Sequence, residues 1–221
     1  SVRSRSIEAY IVDAEPGGIL PFGGFSLADV KRAPLFMIRT DEATGVKTPV
    51  LLLPANYKKF LKFWNQINRV PQNPAGQDYT DDQYLATSVM HEMTHAVIHG
   101  FNENLGSTEH EARGGDWYTE GLARYFECKA GSDAGFASEG FRKIVDGQMQ
   151  FSRGGANYYL RYPDENFFSL RYENSLFWMY FEKRFGADGI VRISHALKEL
   201  GYEASPADYA RVLSAATGEA F

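Results

Sequence analysis

The chain has little of what marks several large classes of protein. One cysteine, Cys128, among 221 residues excludes an internal disulfide framework. A lone cysteine fits a reducing compartment and a cysteine-poor exported bacterial protein equally, so composition leaves the compartment open. No apolar run approaches the ~20 residues that a membrane-spanning helix needs. Positive charge is also short: 23 Lys and Arg face 28 Asp and Glu, a net charge of -5, which argues against a basic surface for nucleic acid. Repeats and low-complexity tracts are missing. The chain opens on Ser1 with no signal-peptide pattern, as expected of a mature form or an excised domain of a larger protein. Histidine is scarce too, with 5 in all, so any cluster of them is informative.

Aromatic residues, by contrast, are plentiful. The 16 Phe, 13 Tyr and 3 Trp are too many for a disordered chain, and the length suffices to bury one sizeable core. The texture changes along the chain. Ile7 to Val12 has strand composition, and Pro34 to Thr40 and Pro49 to Leu53 flank the turn-forming run Asp41-Glu42-Ala43-Thr44-Gly45, the pattern of a hairpin. Gly17 to Gly24 reads as a loop rather than a phosphate cradle, because neither a helix start nor Lys-Ser/Thr follows it. From Asn56 the period becomes helical: Phe60, Phe63, Trp64 and Ile67 share one face, a helix that ends before Pro71. Thr80-Asp81-Asp82-Gln83 is a capping-box start for a second helix running to His99, with Gly100 as its stop. Asp116 caps a third over Trp117 to Lys129. Further helices are expected near 170–185, 187–200 and 206–216, the last opened by Ser205-Pro206. The fold class is α+β: a mixed β-sheet lobe over 1–99 ending in the second helix, then a mainly helical lobe over 100–221, the two forming one domain with a cleft between them.

His91-Glu92-Met93-Thr94-His95 is the informative segment. Inside a helix, residues four apart stand one turn apart on the same face, so the imidazoles of His91 and His95 can reach one metal ion. Glu92 is rotated by about 100° from His91, beside the ion without having to bind it. That is the place for a carboxylate that takes a proton from water at the metal. The bland alternative, a chance match on an amphipathic helix, leaves two histidines and a glutamate that are costly to bury unpaired.

A catalytic zinc needs a third protein ligand and an open fourth position. His99 continues the row, but three ligands stacked along one straight helix do not converge on a tetrahedral ion; a histidine at a helix C-terminus favoured by the dipole is the simpler reading. The continuation H-x-x-G-x-x-H of metzincins is absent, since Phe101 stands where its third histidine would be. Glu103, Glu109, His110 and Glu111 lie in a polar loop. The strongest candidate is Glu120, in Trp117-Tyr118-Thr119-Glu120-Gly121-Leu122-Ala123-Arg124-Tyr125, on the next helix and able to loop back onto the same ion. Asp116 and Glu127 are candidates to orient the histidines through their free ring nitrogens.

H-E-x-x-H followed by W-x-x-E-G-x-A-x-Y resembles the gluzincin metallopeptidases, the group that holds the thermolysin-like enzymes, the M1 aminopeptidases and the bacterial collagenases. The resemblance spans about residues 80 to 185. It implies that His91, His95 and Glu120 bind Zn2+, that Glu92 is the general base, and that peptide or protein is the substrate. Arg171-Tyr172-Glu173-Asn174-Ser175-Leu176 is similar to a downstream segment in which a tyrosine stabilises the oxyanion, which makes Tyr172 the candidate for that role, with Tyr158, Tyr159, Tyr162 and His195 in reserve. The Gly-x-Met-Glu-Asn segment with which M1 enzymes hold a substrate α-amine is missing, and Glu8, Glu15 and Glu42 stand in other contexts, which favours an endopeptidase. Met90 to Ile98 also resembles the collagenase-like unit embedded in some bacterial flagellins, which implies a secreted or cell-surface setting. An edge strand of the β lobe is expected to pair with the extended substrate. The rival readings are a zinc-bearing module that binds without hydrolysis, an aminopeptidase or amide hydrolase acting on small peptides, and a structural domain whose helix matches by accident.

Overall fold

The computed structural model describes residues 7–12, 35–54, 81–101, 116–133, 164–171, 174–200 and 204–221. The helix expected from Asn56, the glycine-rich loop, the loop carrying Glu103, Glu109, His110 and Glu111, and Tyr158, Tyr159, Tyr162 and Tyr172 lie outside these residues. The fold is α+β, a small mixed sheet joined to helices.

Three strands, β1 (Glu8–Val12), β2 (Leu35–Thr40) and β3 (Lys47–Pro54), form a sheet in the order β1-β3-β2. β3 pairs parallel with β1 and antiparallel with β2. The expected hairpin is present, and its turn chemistry is visible. Asp41 Oδ1 accepts from the backbone N–H groups of Ala43 at 3.0 Å and Thr44 at 2.8 Å. Gly45 takes a φ of 68°, a left-handed conformation that costs a glycine little. Val50, Leu51 and Leu52 are all buried, so β3 is covered on both faces, as its unbroken apolar run suggests.

Five helices follow among the described residues: α1 (Asp81–Phe101), α2 (Asp116–Asp133), α3 (Ser175–Phe185), α4 (Ala187–Ala196) and α5 (Pro206–Thr217). α1 passes through Gly100 and ends at Phe101, two residues beyond the expected end at His99; a single glycine weakens a helix without ending it. The helix expected to start near 170 begins instead at Ser175. Asn174 explains the delay, because its side-chain amide donates to the carbonyls of Phe167 at 3.1 Å and Leu170 at 3.2 Å. Carbonyls engaged in this way are withdrawn from a helical ladder, and Phe167–Ser169 forms a short 3-10 turn. The helix predicted over 187–200 likewise tightens into a 3-10 turn at Leu197–Glu199. α5 opens with Ser205 and Asp208 capping each other reciprocally and Pro206 in the first turn, the start its sequence announces.

α2 is the central rod. Trp117, Tyr118, Thr119, Glu120, Leu122, Ala123, Tyr125, Glu127 and Cys128 are all buried, so most of its circumference is covered, on one side by α1 and on the other by α3. Trp117 stacks on Trp178 at 5.7 Å with 12° between the rings, and Trp178 Nε1 donates to the Trp117 carbonyl at 3.3 Å. Tyr118 donates to Ser194 Oγ at 2.7 Å, joining α2 to α4. Much of the aromatic surplus is therefore core. It holds α2 against α3 and α4, and α2 with α1 carries the candidate site.

Candidate metal centre

α1 presents Thr87, His91, Thr94, His95, Ile98 and His99 at spacings of three and four, the face that meets α2 and the sheet. Its opposite face carries the half-exposed Met90 and Val97. His91 and His95 stand one turn apart, with their Nε2 atoms 3.3 Å from each other. Glu120 comes from the first turns of α2. Its Oε2 lies 3.3 Å from His91 Nε2 and 3.8 Å from His95 Nε2. His95 and Glu120 are each 7 % exposed. The three side chains are thus buried and positioned to hold one metal ion.

The separations suit such an ion. Ligand atoms ~2.0–2.1 Å from a tetrahedral centre stand ~3.3 Å from one another, and two of the three separations match that value. Glu120 Oε2 is fully buried and makes no hydrogen bond. A buried carboxylate oxygen without a hydrogen bond is costly, and a cation between it and the imidazoles removes the cost.

Electrostatics around the triangle are strongly coupled. Burial would raise the Glu120 carboxyl, but the rings of His91 and His95 and the guanidinium of Arg171 outweigh it and hold the group down at about 2. Burial pulls His91 down, yet its contacts with Glu120 and Glu127 and the charge of Glu92 prevail and lift it to about 10. His95, with burial unopposed by a direct carboxylate bond, falls to about 4. Glu92 is pushed up to about 7, chiefly by burial, against the opposing pull of His91 and the Phe36 N–H.

Of the two candidates to orient the histidines, Glu127 contacts one of them, His91. Its Oε2 lies 3.2 Å from His91 Nδ1. A proton on Nδ1 shared with that carboxylate turns the lone pair of Nε2 toward Glu120 and His95. Arg124 donates from Nη1 to both oxygens of Glu127 at 2.8 Å and keeps this carboxyl below its usual range despite burial. The side chain of Asp116 lies outside the described residues.

Comparisons with protein-family models, with curated proteins and with solved structures found no match.

Other expectations fall into place around it. His99 stands one turn beyond His95, but it is buried beside the ring of Phe36 at 6.3 Å and is not one of the three residues that converge. His195 packs edge-on against Phe101. Two neighbours of the site escaped the sequence reading. Arg171 Nη2 stands 3.6 Å from Glu120 Oε1, and the main-chain N–H of Phe36 donates to Glu92 Oε2 at 2.8 Å. Neither has a local signal, because both are set by chain segments distant in sequence from the residues they touch. Arg124 was not assigned a role from the sequence either, although helical spacing, which puts it one turn from both Glu120 and Glu127, offers a signal.

Proposed function

We propose that the chain is a zinc-dependent endopeptidase of the gluzincin type, in which His91, His95 and Glu120 hold Zn2+ and Glu92 is the general base. The observation that carries this reading is the convergence of two imidazole nitrogens and one carboxylate oxygen, buried, beside a second carboxyl, that of Glu92, which is not part of the triangle. Two histidines and a glutamate with an open fourth position form a donor set of catalytic zinc sites. When bound, zinc supplies a Lewis acid that polarises a carbonyl and lowers the pKa of water toward ~7.

The chain's own residues do the rest. Glu92 takes a proton from the attacking water as the O–C bond forms, and delivers it to the amine nitrogen as the C–N bond breaks. Glu127, braced by Arg124, keeps His91 in the tautomer that can bind the ion. Tyr172 is the candidate donor to the developing oxyanion.

The substrate is read as an internal peptide bond, because the sequence lacks the Gly-x-Met-Glu-Asn segment with which M1 enzymes hold a substrate α-amine. Glu8 is paired with Arg39 at 2.7 Å, and Glu42 sits exposed in the hairpin turn. No helix among the described residues is long and apolar enough to cross a membrane; a secreted or cell-surface setting rests on the sequence resemblance. The test is cleavage of an unstructured protein such as casein after chelation and after zinc is restored. Cleavage abolished and then recovered supports the reading. Cleavage that persists through chelation removes it.

A further inference from the structure

One residue of the sheet touches the metal helix in three ways. Phe36 stands on β2, which is an edge of the sheet among the described residues. In register it faces Leu51 of β3. Its N–H, however, turns to α1 and donates to Glu92 Oε2 at 2.8 Å across 56 positions of sequence. Alternate N–H groups of an edge strand point outward, and this one is used within the chain. The Phe36 ring lies over the His95 imidazole, centroids 6.0 Å apart and 22° between planes. It also tilts against His99 at 6.3 Å.

We infer that Phe36 is a positioning residue of the hydrolytic site, its main-chain N–H fixing the carboxylate of Glu92 and its ring fixing the imidazole of His95. This rests on the peptidase reading above. A carboxylate is planar, so anchoring Oε2 on a strand amide also sets where Oε1 stands. A glutamate has three side-chain torsions, and without the anchor its carboxylate is free to change rotamer. A hydrogen bond from a backbone amide to a carboxylate is among the stronger kinds, and the donor belongs to a strand paired along its length. The ring does the same for His95 by packing: a flat face against the imidazole restricts rotation about the bond to the ring. His91 is oriented by Glu127; among the described contacts of His95, the Phe36 ring is the one that serves this purpose.

The two roles separate chemically. Phenyllactic acid in place of Phe36 keeps the ring and replaces the N–H by an ester oxygen. Phe36→Ala keeps the N–H and removes the ring. For the ester, kcat on a peptide should fall by about 10–100-fold, the scale for losing an outer hydrogen-bond partner, with KM and zinc affinity within about threefold. For Phe36→Ala, zinc affinity measured by chelator competition should fall by about 10-fold, with kcat of the zinc-saturated protein changed less than in the ester. Equal kcat in the ester and the wild type overturns the inference, as does an equal loss of kcat in both variants. A second measurement stands even if a variant folds poorly. In protein carrying 15N-labelled phenylalanine, with or without zinc, Glu92→Ala should move the Phe36 amide resonance upfield, as a strong acceptor is lost. A Phe36 resonance that stays in place overturns it too. A wild type that neither binds zinc nor cleaves peptide condemns the peptidase reading instead, and the amide shift still reports on the Phe36–Glu92 bond.

Discussion

His91 and Glu127 stand 3.2 Å apart, Nδ1 to Oε2, although one belongs to α1 and the other to the fourth turn of α2. The bond settles which nitrogen of His91 faces Glu120. Replacing Glu127 by Gln should leave the fold intact and weaken zinc binding by about 10–100-fold. Chelator competition measures this. An unchanged affinity would mean that the His91 ring is oriented by packing alone.

The same pair predicts how zinc binding depends on pH. His91 is lifted to about 10 in the ion-free protein, and it must lose its proton to bind a metal. At neutral pH each ion therefore displaces about one proton, and affinity should rise about tenfold per pH unit up to about pH 10. Calorimetry in buffers of different ionisation enthalpy counts that proton. A pH-independent affinity from 7 to 9 would show that His91 is already neutral.

Gly121 follows Glu120 and allows the segment before α3 to approach it. A Cβ there would stand 2.8 Å from Asn174 Cβ and 3.2 Å from the Arg171 carbonyl and Trp178 Nε1. Gly→Ala in a helix ordinarily gains about 0.5–1 kcal/mol. Overpacking against a fixed Cβ and backbone costs about 1–3 kcal/mol, so the clash wins and Gly121→Ala should lower Tm. A raised Tm would mean that the approach is looser than these distances.

Tyr172→Phe should reduce kcat by about 10²–10³, the scale for one lost oxyanion donor, with zinc affinity unchanged. Turnover equal to wild type would remove Tyr172 from that role.

Local chemistry made part of this legible in the sequence. His91 and His95 share a helix face because four residues make about one turn, and the hairpin follows from Asp41 and Gly45 between two apolar runs. Glu120 and Glu127 could be chosen as candidates because a carboxylate on the next helix is what two histidines lack. Other features depend on tertiary approach. The Phe36 amide meets Glu92 only because β2 docks on α1, and no pattern within Leu35–Thr40 encodes that. The late start of α3 turns on Asn174 reaching back to Phe167 and Leu170, a competition between side chain and backbone that helical periodicity does not register.

The most direct test measures zinc content and cleavage of an unstructured protein for wild type and Glu92→Ala side by side. One zinc per chain in both, with cleavage in the wild type alone, is the predicted result. It would separate holding the ion, by His91, His95 and Glu120, from moving the proton, by Glu92. Absence of zinc from the wild type would contradict the account at its root, and equal cleavage by Glu92→Ala would contradict its mechanism.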